Sequence, residues 1–231
     1  SLLDIKDEDG DIDYAKIAAL LKQNKPFDSI TMNDEITEGD EIVNFDVVLG
    51  NPPYHETISS ATDNDSLGKQ LFPWFVMCST QIASKFTSMI TPSRWFTGDA
   101  QDKSFVKLRH YMQENNHIKK IANYKDEKEV FDGVEIKGGI SYFLYEQSHT
   151  GQVEFVNISK GVRESQVRNL FVDGLDIIIS DSVNYPLICK VKTEDFVPLT
   201  TITTGRNAFG IIGKPSVVNS ISKKEHFPGA C

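Results

Sequence analysis

Apolar positions along this chain switch between two spacings, and the switches mark its elements. Tyr14–Gln23 places Ile17, Leu20 and Leu21 at helical intervals, with Asp13 suited to cap the first turn. Phe27–Met32 and Phe45–Gly50 are short runs that read as strands, the second rich in β-branched residues and closed by Gly and Pro. His55–Gly68 is polar throughout and reads as a mobile surface loop. Lys69–Lys85 is apolar on a broad face and predicts a helix, with Pro73 tolerated near its start. Phe86–Ile90 predicts a strand, Asp99–Asn115 an amphipathic helix on Phe105, Leu108 and Met112, and Ile118–Tyr124 a strand. Ser141–Glu146 and Gln152–Ile158 come next as strands, and Val183–Val191 as a short helix. Strand and helix patterns in alternation predict an α/β fold with a mostly parallel sheet. Phe45–Leu49 is expected at its centre, and Ser141–Leu144 antiparallel to its neighbours.

Charge changes this picture in one place. The net charge of −9 comes from residues 1–50, which hold 13 acidic and 4 basic side chains, while residues 51–231 hold 20 of each. No basic stripe of the kind that tracks nucleic acid is visible. The acidic run Asp4–Asp13 invites an EF-hand reading. Ile5 and Lys16 occupy the positions of the first and last ligands, so a solvated turn is expected and no metal site. Three widely spaced cysteines fit a reduced, cytoplasmic setting. No stretch is long and apolar enough to span a membrane.

The chemistry concentrates at Asn51-Pro52-Pro53-Tyr54, directly after the Phe45–Gly50 strand. Open α/β sheets bind ligands beyond the carboxyl ends of their strands. Each proline fixes its own φ, and Asn51 and Pro52, each preceding a proline, are pushed to extended conformations. The Asn51 amide oxygen and the Pro52 carbonyl form a stiff pair of acceptors, and Tyr54 adds a flat face for stacking. Two acceptors and a stacking plane suit a planar group that carries an NH2. Hydrogen bonds from that NH2 draw its lone pair out of conjugation and toward an electrophile.

An Asn-Pro-Pro-Tyr after a strand resembles the catalytic motif of amino-methyltransferases that use S-adenosylmethionine. Two further stretches, Thr91-Pro92-Ser93-Arg94-Trp95-Phe96 and Val130-Phe131-Asp132-Gly133-Val134 with Gly138-Gly139-Ile140-Ser141-Tyr142-Phe143-Leu144, narrow the likeness. They resemble the adenine-N6 DNA methylases of bacterial type II, type IIG-like, restriction–modification systems. That resemblance implies a partial Rossmann-like methyltransferase fold with an antiparallel hairpin strand. It implies that Asn51, Pro52, Pro53 and Tyr54 are catalytic and hold a flipped adenine. Phe131 is implied to pack on that base beside Tyr54, and Asp34, Leu71, Phe72 and Phe75 to bind the cofactor. Arg94 either meets a phosphate or braces its loop. Double-stranded DNA is the implied partner, with a fused endonuclease and a target-recognition region as further possibilities. The alternatives are amino-methylation of RNA or of protein glutamine, or a non-catalytic binding fragment.

Cofactor binding in that fold also needs a Gly-rich turn and a ribose carboxylate, and neither is found in these residues. Residues 1–160 are therefore expected to be the C-terminal part of a catalytic domain. Residues 161–231 are expected to lead toward target recognition, with Thr203–Gly210 resembling the junction. As a fragment, the chain alone is expected to bind S-adenosylmethionine weakly and to transfer no methyl group.

Overall fold

In the computed structural model, residues 2–25, 29–31, 34, 42–55, 69–133, 135–192 and 196–197 are described. The expected loop at residues 56–68 and the Thr203–Gly210 junction lie outside them. Of the strand expected at Phe27–Met32, only Ser29–Thr31 are described, and they are not in a strand. The chain divides into two units, Ser1–Cys189 and Lys190–Cys231. The first carries the whole sheet.

Six strands form one mixed sheet: β1 (Phe45–Gly50), β2 (Ala83–Pro92), β3 (Ile118–Tyr124), β4 (Ile140–Glu146), β5 (Val153–Ser159) and β6 (Val162–Arg168). Their spatial order is β1-β2-β4-β3-β5-β6. β1/β2 and β3/β5 pair in parallel, while β4 pairs antiparallel to both β2 and β3, and β6 to β5. Four strands thus run one way, and β4 and β6 run against them. β4 is the antiparallel hairpin strand that the sequence implied. β1, expected at the centre, is instead an edge strand, because its outer side pairs with no described strand.

Four helices accompany the sheet: α1 (Tyr14–Leu21), α2 (Phe72–Ile82), α3 (Ser104–Asn115) and α4 (Asn184–Val191). Asp13 caps α1 as expected, its carboxylate accepting from the Lys16 N–H at 2.9 Å. α2 starts three residues later than the pattern suggests, because Pro73 has no N–H to donate and fits only the first turn. α3 starts at Ser104, since Lys103 takes a left-handed φ of 59° and Asp102 accepts from the Ser104 N–H. The acidic turn closes on itself, with Asp7 accepting from the Asp9 and Asp11 N–H groups.

The strand period of two sorts side chains onto two faces. Met89, Phe143, Ile121 and Phe155 stand opposite one another across β2, β4, β3 and β5. All four are buried in the main core with residues of α1, α2 and α3. Burying each side chain of this kind contributes about 1.5–3 kcal/mol. The opposite face carries a small cluster of Ala122, Val156 and Ile158 with Tyr124 and Tyr142. At β1 that face is uncovered: Val47 and Leu49 are 48% and 72% exposed, while Val48 packs on the main core. Beyond β6 the chain is pinned back by Arg168. Its guanidinium lies 4.3 Å from the Phe155 ring and 4.2 Å from that of Tyr185. Burial lowers its pKa to about 10.

Candidate active site at the carboxyl end of the sheet

The strand directions bring the expected tetrapeptide to one end of the sheet, together with the ends of β2, β3 and β5. β1, β2, β3 and β5 all finish there, so Asn51, Ser93, Lys125 and Lys160 leave the sheet at the same end. β4 starts there, which adds Gly138 and Gly139.

Asn51 is exposed, and its side chain hydrogen-bonds to no described residue. Pro52 is buried, Pro53 exposed and Tyr54 half-buried. The segment is tied down by main-chain contacts: the Tyr54 carbonyl accepts from the Leu71 N–H at 3.0 Å, and His55 bridges to Gln70. The Tyr54 ring sits edge-on to Phe72, with centroids 6.3 Å apart and planes at 81°. Its hydroxyl points inward, with no hydrogen-bond partner among the described residues, and burial raises its pKa. One acceptor therefore stands without a described partner on a stiff, anchored backbone, beside a ring held at a fixed angle.

The other expected residues do not all converge. Phe131 is half-buried, and its N–H donates to the Glu127 carbonyl at 2.9 Å. Nearby, the Glu129 carboxylate accepts from the Lys160 and Gly161 N–H groups, which ties this loop to the β5–β6 turn. Among the described residues, no ring pair joins Phe131 to Tyr54. Phe72 has no exposed surface and packs on Phe105 with centroids 5.5 Å apart. Leu71 is buried, and Phe75 faces an apolar cavity of about 290 Å³ between α1, α2 and the sheet. The Asp34 carboxylate accepts from the Thr31 N–H and hydroxyl, contacts that lower its pKa. Asp34, Leu71, Phe72 and Phe75 therefore do not by themselves fit S-adenosylmethionine. One carboxylate is engaged, one ring is sealed, and a third side chain faces an apolar cavity.

A second cavity, of about 450 Å³, opens at the same end of the sheet between Ser93, Arg94, Asn123, Lys125, Gly138 and Asp181. Its floor is a buried relay. The Ser93 hydroxyl donates to Asn123 Oδ1 at 2.7 Å, and Asn123 Nδ2 donates to Asn157 Oδ1 at 2.9 Å. Asn157 Nδ2 in turn donates to the Ser180 carbonyl and the Ser182 hydroxyl. Thr91, Ser141, Asn123 and Asn157 are successive neighbours across the sheet, and all four are buried. Thr91 Oγ1 and Ser141 Oγ have no hydrogen-bond partner among the described residues. Sequence patterning does not single out this row. Its signal is an asparagine inside each of two apolar strands, a residue strands disfavour unless its amide is satisfied.

Arg109 on α3 is a bracing residue that the sequence pattern hides, although it is only 2% exposed. It donates through Nη1 to the Trp95 carbonyl at 2.8 Å and the Gly98 carbonyl at 2.7 Å, and through Nε to the Asp176 carbonyl. It thereby fixes the single helical turn Ser93–Phe96, which presents Arg94. Gly139 lets the start of β4 pass close to the end of β3. Its φ is +82°, and a Cβ there would lie 2.3 Å from the Tyr124 carbonyl oxygen.

Comparison with known proteins places this architecture in a family. Residues 1–131 match the model of the Eco57I restriction-modification methylase. An uncharacterised adenine-specific methylase of Mycoplasma pneumoniae is 30% identical over 177 residues. That alignment covers 73% of this chain but only 41% of the relative's length. Among solved structures, a type I restriction-modification methyltransferase subunit from Streptococcus thermophilus is 19% identical over 68% of this chain and 34% of its own, at a TM-score of 0.36. The type IIG restriction endonuclease BpuSI is 19% identical over 48% of this chain and 15% of its own, at a TM-score of 0.34. With more than half of its residues inside the matched model, the chain belongs to the Eco57I restriction-modification methylase family.

Proposed function

We propose that this chain carries the substrate-amine site of an adenine-N6 DNA methyltransferase of a restriction–modification system. Family membership supports the methyltransferase, and the Mycoplasma relative's name supports adenine. The observation that carries the reading is Asn51, an exposed amide without a described partner at the carboxyl end of β1, on a backbone stiffened by two prolines.

In this reading the target adenine leaves the double helix to reach the site, because its amine is otherwise paired in the stack. The amine donates one N–H to Asn51 Oδ1 and the other to the Pro52 carbonyl. The nitrogen lone pair then turns out of the ring plane toward an electrophile. Tyr54, braced by Phe72, stacks on the base, and Phe131 approaches from the β3–β4 loop. S-adenosylmethionine is the methyl donor of this reading, with Asp34, Leu71, Phe72 and Phe75 supplying only part of its site.

The test is tritium transfer from labelled S-adenosylmethionine by the complete protein, offered double-stranded DNA, RNA and protein. Label is expected in DNA, at adenine N6. Asn51→Ala leaves an amine proton without its acceptor, which costs about 1–3 kcal/mol. Misalignment of the nitrogen adds to this, so turnover is expected to fall at least about a hundredfold. Unchanged turnover by Asn51→Ala overturns the reading.

A further inference from the structure

Arg94 is placed differently from every other charged group around the 450 Å³ cavity. It is exposed, and its guanidinium has no ion-pair or hydrogen-bond partner among the described residues. Bracing of its loop is carried by Arg109, which takes the Trp95 and Gly98 carbonyls. The Arg94 stem lies against Gly138, where a Cβ would come within 2.7 Å of Arg94 Cγ. The glycine thus leaves room for the arginine to lie along the cavity wall. Across the cavity, Lys125 Nζ is 3.5 Å from Asp181 Oδ2, too long for a good hydrogen bond. Asp181 cannot follow a moving lysine, because its Oδ1 caps α4 through the Val183 and Asn184 N–H groups at 2.9 and 3.0 Å. The floor is already satisfied through Ser93, Asn123 and Asn157, so it offers a fixed polar base.

A free guanidinium and a loosely held ammonium over a polar floor fit an oxyanion. A planar fork of donors fits a phosphate bidentately. The cavity opens at the sheet end that presents Asn51. We infer that this cavity seats a backbone phosphate of the DNA strand next to the methylated nucleotide, with Arg94 gripping it and Lys125 turning from Asp181 to join. The inference rests on the DNA-methylation reading and adds a positioning role for Arg94 that the tetrapeptide does not supply. A chain with no basic stripe thus engages a polyanion locally, through an arginine with no described partner in a built cavity.

The test uses the complete protein as wild type, Arg94→Ala and Arg94→Lys, with a DNA duplex that the wild type methylates. Arg94→Ala is expected to raise Kd and KM about ten- to hundredfold at low salt and to change kcat little. The slope of log Kd against log salt is expected to fall by about one, as for loss of one phosphate contact. Arg94→Lys should recover the slope but only part of the affinity. A duplex with a neutral methylphosphonate next to the target should weaken the wild type and leave Arg94→Ala unaffected. Melting temperatures show whether the variants stay folded, as an exposed side chain predicts. If the wild type methylates DNA but Arg94→Ala keeps its KM and salt slope, the phosphate seat is wrong and the methylation reading stands. If the wild type transfers nothing to DNA, both fall.

Discussion

Replacing Arg109 tests whether the Arg94 turn is held as described. Arg109→Met keeps the aliphatic bulk and removes every donor. Three carbonyls then lose their partner: those of Trp95, Gly98 and Asp176. An unsatisfied buried acceptor costs about 1–3 kcal/mol, and the loop positions of these carbonyls let water reach part of the gap. Roughly 3–5 kcal/mol is the expected total. The ion pair adds little, since the Asp176 side chain, 3.6 Å away, is 60% exposed. In a domain of this size each kcal/mol moves Tm by about 2–4 °C, so a fall of roughly 10 °C is expected. Thermal denaturation followed by tryptophan fluorescence measures the fall, and urea denaturation the free energy, with Trp95 buried at the affected turn. Arg109→Lys restores one donor group and should recover less than half of the loss. An Arg109→Met protein within about 0.5 kcal/mol of wild type would refute the brace and return that role to Arg94.

Four further outcomes follow. Gly139→Ala forces a Cβ against the Tyr124 carbonyl at a positive φ and should cost more than about 2 kcal/mol in a thermal melt. Gly133→Ala, at φ +73° but in open space, should cost only about 1 kcal/mol. Asn51→Ala should leave the melting temperature unchanged even as it removes activity, because Asn51 makes no hydrogen bond to a described residue. Burial raises the Cys78 thiol to about 12. The neutral thiol is thus favoured in the folded state, and its contribution is whole below the unfolded thiol pKa of about 8.5 and is lost as pH rises toward 12. Urea midpoints should therefore fall less steeply between about pH 8.5 and 11 in Cys78→Ala than in wild type; parallel slopes would contradict this.

β2 begins at Ala83, inside the stretch expected to be helical, and runs on to Pro92, whereas Phe45–Gly50 and Ile118–Tyr124 were legible in the sequence to the residue. β6 was not, because Val162–Arg168 is exposed along nearly its whole length and so has no apolar alternation to display. Its strand state comes from its ladder with β5. The edge position of β1 was likewise invisible, since a run of Val and Leu reads the same with one neighbour or two. At the site, the tetrapeptide announced itself through its prolines. Arg109 did not, because an arginine on an amphipathic helix is ordinarily a surface residue, and only three carbonyls folded over it make burial tolerable. Phe72 misled in the other direction: the sequence shows that it is apolar, but not that Tyr54 and Phe105 enclose it.

The tetrapeptide hangs from a strand that pairs with a described neighbour on one side only. In a parallel ladder, successive peptide groups of such a strand point alternately toward the neighbour and away from it. Amide protons along Phe45–Gly50 therefore divide into two exchange classes, slow where the N–H meets β2 and fast where it faces outward. β3, flanked by β4 and β5, has no such alternation. Anything that docks along the free side of β1 would erase the fast class, so deuterium uptake at these few amides reports directly on what lies beside the strand that feeds Asn51.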